Sequence, residues 1–359
     1  MKRNTSLSLA GWASAMFVAM TVCWASGSSL ASTYSTEVLV DTPVAYYRLN
    51  ETSGTTAVNL GTAGAAANGT YVNIPGATNL SDYGVAGPRD GYPGFESNNN
   101  ALFFDPEVGS TATSDLFPRV EVVDDVGGGP LAIGGAVTLE AWIRRLPGEA
   151  GTGTNEGIVG RYMQDHDPMT AGAQAGRAYV LYFDSTTDGT AYTTDDGGPG
   201  IGIAFSSSGA FHNPSSAEFG TPDVDYTQWT HVVTTITPGE RFQLFINGEF
   251  IGEIVDDDVS GVAAGIQLHN SIYTGPADLW IGQQFNGDDD WTFRGFIDEV
   301  AIYDYALSAD RIAAHYAAAT AVPEPGTWVM LVLVVASAGA VGRHQGTGGK
   351  RVPRSKLVG

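Results

Sequence analysis

Val137-Thr-Leu-Glu-Ala-Trp-Ile-Arg144 sets Val137, Leu139, Ala141 and Ile143 on one side of an extended chain and Thr138, Glu140, Trp142 and Arg144 on the other. Side chains alternate across a strand, so this run is predicted to be a β-strand with one face toward a core. Similar short runs rich in Val, Ile, Thr, Tyr, Phe and Trp flank it. Upstream they are 44–49, 101–104 and 120–123; downstream they are 158–161, 178–183, 201–205, 229–236, 241–246, 249–255, 279–283 and 293–303. The body is therefore expected to be all-β.

Between 241–246 and 249–255 stands Asn247-Gly248. A type I′ turn needs two positive φ angles, so Asn-Gly between apolar runs predicts a tight hairpin. One short helix is expected late: Ser308 caps 309–318, Asp310 complements the helix dipole in the first turn, and Ile312 and Tyr316 pack back on a sheet. Segments 73–100, 147–156, 185–199, 206–227 and 256–276 are rich in Gly, Asp and Ser. Strands continue on both sides of each, so they read as loops of one sandwich. No repeat of fixed period is present.

The two ends read as addresses. Lys2 and Arg3, an apolar stretch at 11–25 and Ser29-Leu30-Ala31 predict a signal peptide cut after Ala31. At the other end, Val322-Pro323-Glu324-Pro325 precedes an apolar run of 16 residues, 327–342, and then Arg343, His344, Lys350, Arg351, Arg354 and Lys356. As a helix this run is about 24 Å long against a hydrocarbon core of ~30 Å, so it spans only with bilayer thinning or snorkelling flanks. The basic residues behind it predict a cytoplasmic tail and an exported body. Breaker, apolar segment and basic end together resemble the PEP-CTERM tail of bacterial exosortase systems, with Val322, Pro323, Glu324 and Pro325 as the signature. That resemblance implies an exosortase-type partner and at least transient membrane anchoring at the cell envelope. The expected organisation is a signal peptide at 1–31, one domain at 32–319, a linker at 320–326, a transmembrane segment at 327–342 and a tail at 343–359.

The chain of 359 residues carries 17 basic and 39 acidic side chains, a formal charge of −22. Seven of the basic residues lie in the two ends; the ten that remain are all arginine, and ten against 39 leaves the region between them near −29. Such a body repels phosphate backbones, which argues against nucleic acid as a partner. The single cysteine, Cys23, falls in the predicted signal peptide. The exported part then has no disulfide and no thiolate metal site, and must hold by its own core.

Several stretches, in order, carry a resemblance to a known family. Ala45-Tyr-Tyr-Arg-Leu-Asn-Glu51-Thr-Ser-Gly54, Asn59 and Asn68-Gly69-Thr70 look like the opening of a laminin G-like, concanavalin A-like jelly roll. Residues 138–143, 229–233 and 242–248 match its inner strands and hairpin, and 295–308 its closing strand and helix cap. The resemblance covers about 40–318. It implies two facing antiparallel sheets with one short C-terminal helix, and a ligand class of carbohydrate or extracellular matrix. It also implies one structural calcium between the opening loop and the closing strand, held by Asp298 with Glu51 and Asn59. Calcium takes hard oxygen ligands, and an inward-pointing Asp298 needs a partner.

Catalytic motifs are missing. Retaining glycosidases of this fold usually set Glu and Asp two apart on one strand, but no Glu here is followed two residues later by Asp or Glu. There is no Gly-x-Ser-x-Gly, His-Glu-x-x-His or phosphate-binding glycine loop. His231 reads as structural. Trp291 beside Asp288 and Asp290 is the candidate glycan contact, an aromatic ring with carboxylates at hand. The expected function is non-catalytic binding or adhesion outside the cell. The alternatives are a structural component of an extracellular polymer layer and a glycan-active hydrolase with a site of unrecognised type.

Overall fold

The computed structural model describes residues 33–72, 83–104, 118–147, 155–162, 177–184, 199–208, 215–221, 223–256, 268–284 and 291–322. The predicted signal peptide, the transmembrane segment at 327–342, the basic tail, Pro323, Glu324 and Pro325 lie outside the described residues; Val322 is exposed. Among the described residues no helix is long and apolar enough to cross a membrane.

In chain order the strands are β1 (Ala45–Tyr47), β2 (Thr56–Ala57), β3 (Gly69–Val72), β4 (Tyr83–Ala86), β5 (Asn100–Phe104), β6 (Arg119–Val122), β7 (Val137–Arg145) and β8 (Asn155–Tyr162). They continue with β9 (Arg177–Asp184), β10 (Gly200–Phe205), β11 (Ser215–Gly220), β12 (Thr230–Thr237), β13 (Arg241–Ile246), β14 (Glu249–Val255), β15 (Asp278–Ile281) and β16 (Gly295–Tyr303). Two antiparallel sheets result. Sheet A runs β14-β13-β12-β7-β16-β5-β4, with β1 also on β16; sheet B runs β11-β10-β9-β8-β15-β6-β3-β2. The all-β sandwich expected from the alternation is the fold.

Residues 137–144 fall in β7, central in sheet A between β12 and β16. Val137, Leu139, Ala141 and Ile143 enter the core between the sheets, where they meet Leu181, Ile203, Phe205 and Ile281 from sheet B. Asn247 and Gly248 take φ of 51° and 78° and close the β13–β14 hairpin as their sequence requires.

The outer face of sheet A is covered by two helices. The C-terminal one, α2 (Ala309–Thr320), starts where expected, with the Ser308 side chain accepting from the Arg311 amide. The other, α1 (Tyr34–Val40), was not predicted. Seven residues are too few to make a helix stable alone. Packing makes it: Tyr34 and Val38 are buried with Trp142, Phe95, Ile312 and Ala319. Two predicted loops also contain strands, β4 within 73–100 and β11 within 206–227.

Candidate functional site

Alternation along β6, β8, β9, β10 and β15 sends one set of side chains into the core and the other to the outer face of sheet B. That outer set includes Tyr162, Val180, Tyr182, Ala204 and Trp280, with Trp291 packed at its border. Register aligns them. Trp280 stands opposite Gly160 on one neighbour and Glu121 on the other. Tyr182 stands opposite Gly202, and Gly202 opposite Glu218. The glycines make room for the rings: a Cβ on Gly202 would come within 2.0 Å of the Tyr182 ring, and one on Gly160 within 2.6 Å of the Tyr162 hydroxyl.

The polar edges of these rings are held. Tyr182 donates its hydroxyl hydrogen to Glu218 Oε1 at 2.7 Å, and Trp280 Nε1 donates to Glu121 Oε1 at 3.2 Å. Arg119 pairs with Glu121 at 3.3 Å and stands 4.9 Å over the Trp280 ring. Burial, and then Glu218, push the Tyr182 phenol well above its ordinary range, so it stays a donor. Trp280 and Tyr182 are buried, 1% and 2% exposed; Trp291 at the border is the partly exposed ring. Rings edged by carboxylates suit a ligand with apolar C–H faces and many hydroxyls.

Of the sequence-predicted glycan contacts, Trp291 joins this face; Asp288 and Asp290 lie outside the described residues. Tyr182, Glu121, Glu218 and Arg119 were not singled out from sequence. The available signal was the alternation in Arg119-Val-Glu-Val122, which puts both charged residues on one face.

Asp298 is fully buried, opposite Trp142 in register, where a β-bulge interrupts β16. Its Oδ2 and Asn99 Oδ1 are buried acceptors with no donor. Both press on Gly87, where a Cβ would lie 2.8 Å from the first and 2.0 Å from the second. Glu299 accepts from Arg48 Nη2 at 3.0 Å, from Asn99 Nδ2 at 2.8 Å and from the Tyr46 hydroxyl. Arg48 also pairs with Glu96 at 2.6 Å. Three carboxylates therefore share one guanidinium among the described residues. Burial, then Glu299, push Asp298 well above the usual carboxylate range, and burial takes Glu299 up to about 7.

The oxygens of the other two predicted calcium ligands are engaged elsewhere. Glu51 accepts from the Val58 amide and the Tyr71 hydroxyl, and Asn59 Oδ1 from the Tyr46 and Gly61 amides. Among the described residues no three His, Cys, Asp or Glu side chains are grouped to hold a metal ion. Asp298 Oδ2 and Asn99 Oδ1 fit calcium in kind, as hard oxygens, and supply two of the six to eight it takes.

His231 is indeed part of a buried network. Its Nε2 donates to Glu140 at 2.7 Å, alongside the hydroxyls of Tyr34 at 2.7 Å and Tyr303 at 2.9 Å. His315 of α2 bridges Glu140 at 3.0 Å and Asp41, which ends α1, at 2.8 Å. This network fastens both helices to sheet A.

The sequence model described as the concanavalin A-like lectin/glucanases superfamily, of the laminin G type, matches residues 123–313, more than half of the chain. No curated protein matches the sequence. Among solved structures, domain 4 of a GH43 extracellular arabinanase from Geobacillus stearothermophilus, in complex with arabinotriose, is similar at 15% identity and a TM-score of 0.41, over 77% of this chain and 98% of that one. The SAP-like pentraxin of Limulus polyphemus is similar at 13% identity and 0.36, over 55% and 74%. The Trypanosoma rangeli sialidase is similar at 11% identity and 0.43, over 77% of this chain but a third (33%) of its own.

Proposed function

Because the chain belongs to the concanavalin A-like lectin/glucanases superfamily, we propose that it is an exported, surface-sorted protein that binds carbohydrate, or a matrix polymer containing it, without cleaving it. The carrying observation is the outer face of sheet B, where the partly exposed ring of Trp291 supplies contact area at the border and the half-buried Glu121 and Glu218, bonded to the buried Trp280 and Tyr182, stand at the edge with carboxylate oxygens. Export and sorting rest on the sequence of the two ends, with an exosortase-type enzyme and the membrane as partners.

Absence of cleavage rests on spacing. Glu121 on β6 and Glu218 on β11 are separated by five strand spacings, about 24 Å at ~4.8 Å each. A retaining pair needs about 5–5.5 Å and an inverting pair about 6.5–9.5 Å. These two glutamates cannot act on one bond.

Calcium at Asp298 belongs to the same proposal, with Asn99 as its side-chain partner in place of Glu51 and Asn59. It would supply the positive charge that three carboxylates and one arginine lack.

A glycan array probed with and without calcium tests the reading. We expect binding to a restricted set of glycans, and a loss of at least tenfold in Trp291→Ala with an unchanged far-UV spectrum. An array silent under both conditions, with release of reducing ends from polysaccharides, would replace binding by hydrolysis.

A further inference from the structure

Acidic side chains outnumber basic ones by 39 to 17, so carboxylates are in surplus for every arginine. Among the described residues Arg89 donates to the Ser97 carbonyl, Arg177 is under the charge of Glu218, and the others pair with Glu or Asp, with one exception. No hydrogen bond or ion pair reaches Arg144 from the described residues, and burial alone lowers its pKa from the ordinary value. Glu156, the carboxylate held by Arg145 and Arg294, is shared by those two. Arg144 is half-buried and its nitrogens are not buried, so its N–H groups face solvent.

Aromatic rings hold the guanidinium in place of a carboxylate. Its carbon stands 4.4 Å from the centre of the Phe296 ring and 5.1 Å from that of Trp229. Register produces this. Phe296 stands opposite Arg144 on one side and Phe103 on the other, and Trp229 precedes Thr230, which stands opposite Ile143. Leu102, Phe104, Ile143 and Ile297 enter the core, so alternation turns Phe103, Phe296 and Arg144 outward. With Trp229 they form one row across β5, β16, β7 and the start of β12, about 14 Å long at ~4.8 Å per strand. The row borders the part of sheet A beneath the helices, since Trp229 and Phe296 pack on the cluster that holds Trp142 and Ile312. Phe103, a half-buried ring 4.9 Å from Phe296, lies at its far end.

We infer that this row is a second binding site, for a uronate residue of a glycan, with the sugar ring on Phe103 and its carboxylate on Arg144. A guanidinium fork presents donors that match a carboxylate two at a time. Here the fork is fixed by two rings and partly stripped of water with no counter-charge, so an incoming anion completes an ion pair that the chain leaves open. A free anion would meet Arg144 alone and a neutral sugar Phe103 alone; a uronate meets both. One guanidinium serves one carboxylate, and the charge of −22 opposes a ligand carrying many. The fitting glycan therefore carries isolated uronates among neutral sugars. The row belongs to sheet A, so the inference does not rest on the outer face of sheet B.

The full chain is titrated with methyl glucuronide, methyl glucoside, acetate and sulfate, and binding is read by saturation-transfer NMR. We expect millimolar binding of the glucuronide and at least tenfold weaker binding of each of the other three. Arg144→Lys keeps the charge and loses the fork, and is expected to weaken glucuronide binding at least fivefold; Phe103→Ser should do the same by removing the ring. Silence toward the glucuronide, equal binding of the glucoside, or equal binding of acetate or sulfate would each overturn the inference. So would an unchanged glucuronide affinity in Arg144→Lys, which would leave Arg144 as packing for Phe296 and Trp229. The comparison of probes needs only the wild-type chain, so a variant that fails to fold does not shield the idea. Glucuronide binding together with an array silent toward neutral glycans would uphold this row and remove the reading of sheet B; the reverse result would remove this row alone.

Discussion

Glu140 receives hydrogen bonds from four side chains, and His315 decides how their strength varies with pH. Glu140 and Asp41 only accept, so His315 between them carries a proton on each ring nitrogen. Burial opposes that charge, but Glu140, followed by Asp41, outweighs it and raises the His315 pKa. Burial likewise opposes ionised Glu140, and His315, followed by His231, holds it well below the usual range. The His315 contribution is thus complete below its unfolded value near ~6.5 and lost as pH rises through the raised folded value. The Glu140 contribution is complete above ~4.3 and lost as pH falls through the lowered one. Stability to urea is expected to peak in mildly acid solution and decline toward pH 9. His315→Ala should cost about 3 kcal/mol at pH 6, the order found on breaking a buried pair, and remove most of the alkaline decline. An alkaline decline of wild-type steepness in the variant would assign it to other groups. None of this network was legible locally: the partners of Glu140 lie 91 to 175 residues away. The alternation in 137–144 indicated which way Glu140 points and nothing about what it meets. Asp298 shows the same limit, since its neighbours Asn99 and Gly87 belong to a stretch that reads as a loop.

Elements were legible where their cause is local. Asn247-Gly248 encodes its own turn, and Ser308 its own helix start, because both depend on neighbours within four residues. Gly248 also has a distant reason: its φ is 78°, and a Cβ there would lie 2.7 Å from Tyr316 Cβ on α2. Gly248→Ala is expected to cost roughly 1–2 kcal/mol from the left-handed backbone alone, with a further loss from displacing α2. Urea unfolding should show the sum, and Tyr316→Gly in the same background, which removes the opposing Cβ, should recover the second part. Equal costs in both backgrounds would mean the hairpin and α2 are not coupled. Elements whose cause is distant were missed. Short α1 exists because Tyr34 and Val38 find Trp142, and because the Tyr34 amide donates to the Gly94 carbonyl while the Gly94 amide donates to Ala319. Strands β4 and β11 are short and lie in Gly-, Ser- and Asp-rich sequence, where pairing with β5 and β10 rather than propensity makes them strands.

At the scale of the molecule, the ordered matches along 40–318 indicated two facing sheets, and pairing supplied what they could not. Strand β16 lies between β7 and β5 and also pairs with β1, so the last strand is central and joins early and middle sequence. That arrangement gathers carboxylates from distant positions into one fold. A chain of charge −22 repels itself when compact, so screening should stabilise it. Sodium chloride taken from 10 to 300 mM is expected to raise the melting temperature by a few degrees. Calcium at matched ionic strength separates screening from binding. A ligand at a hundred times its Kd adds about 2.7 kcal/mol to the folded state, well beyond a change in ionic strength held constant. If Asp298 and Asn99 hold the ion, 10 mM calcium chloride raises the melting temperature above the matched sodium chloride value. Asp298→Asn should abolish that excess and keep the sodium response, because screening acts on the whole surface and the excess on one buried pair of oxygens. Equal responses to the two salts in the wild-type chain would leave Asp298 and Asn99 bridged by a proton instead.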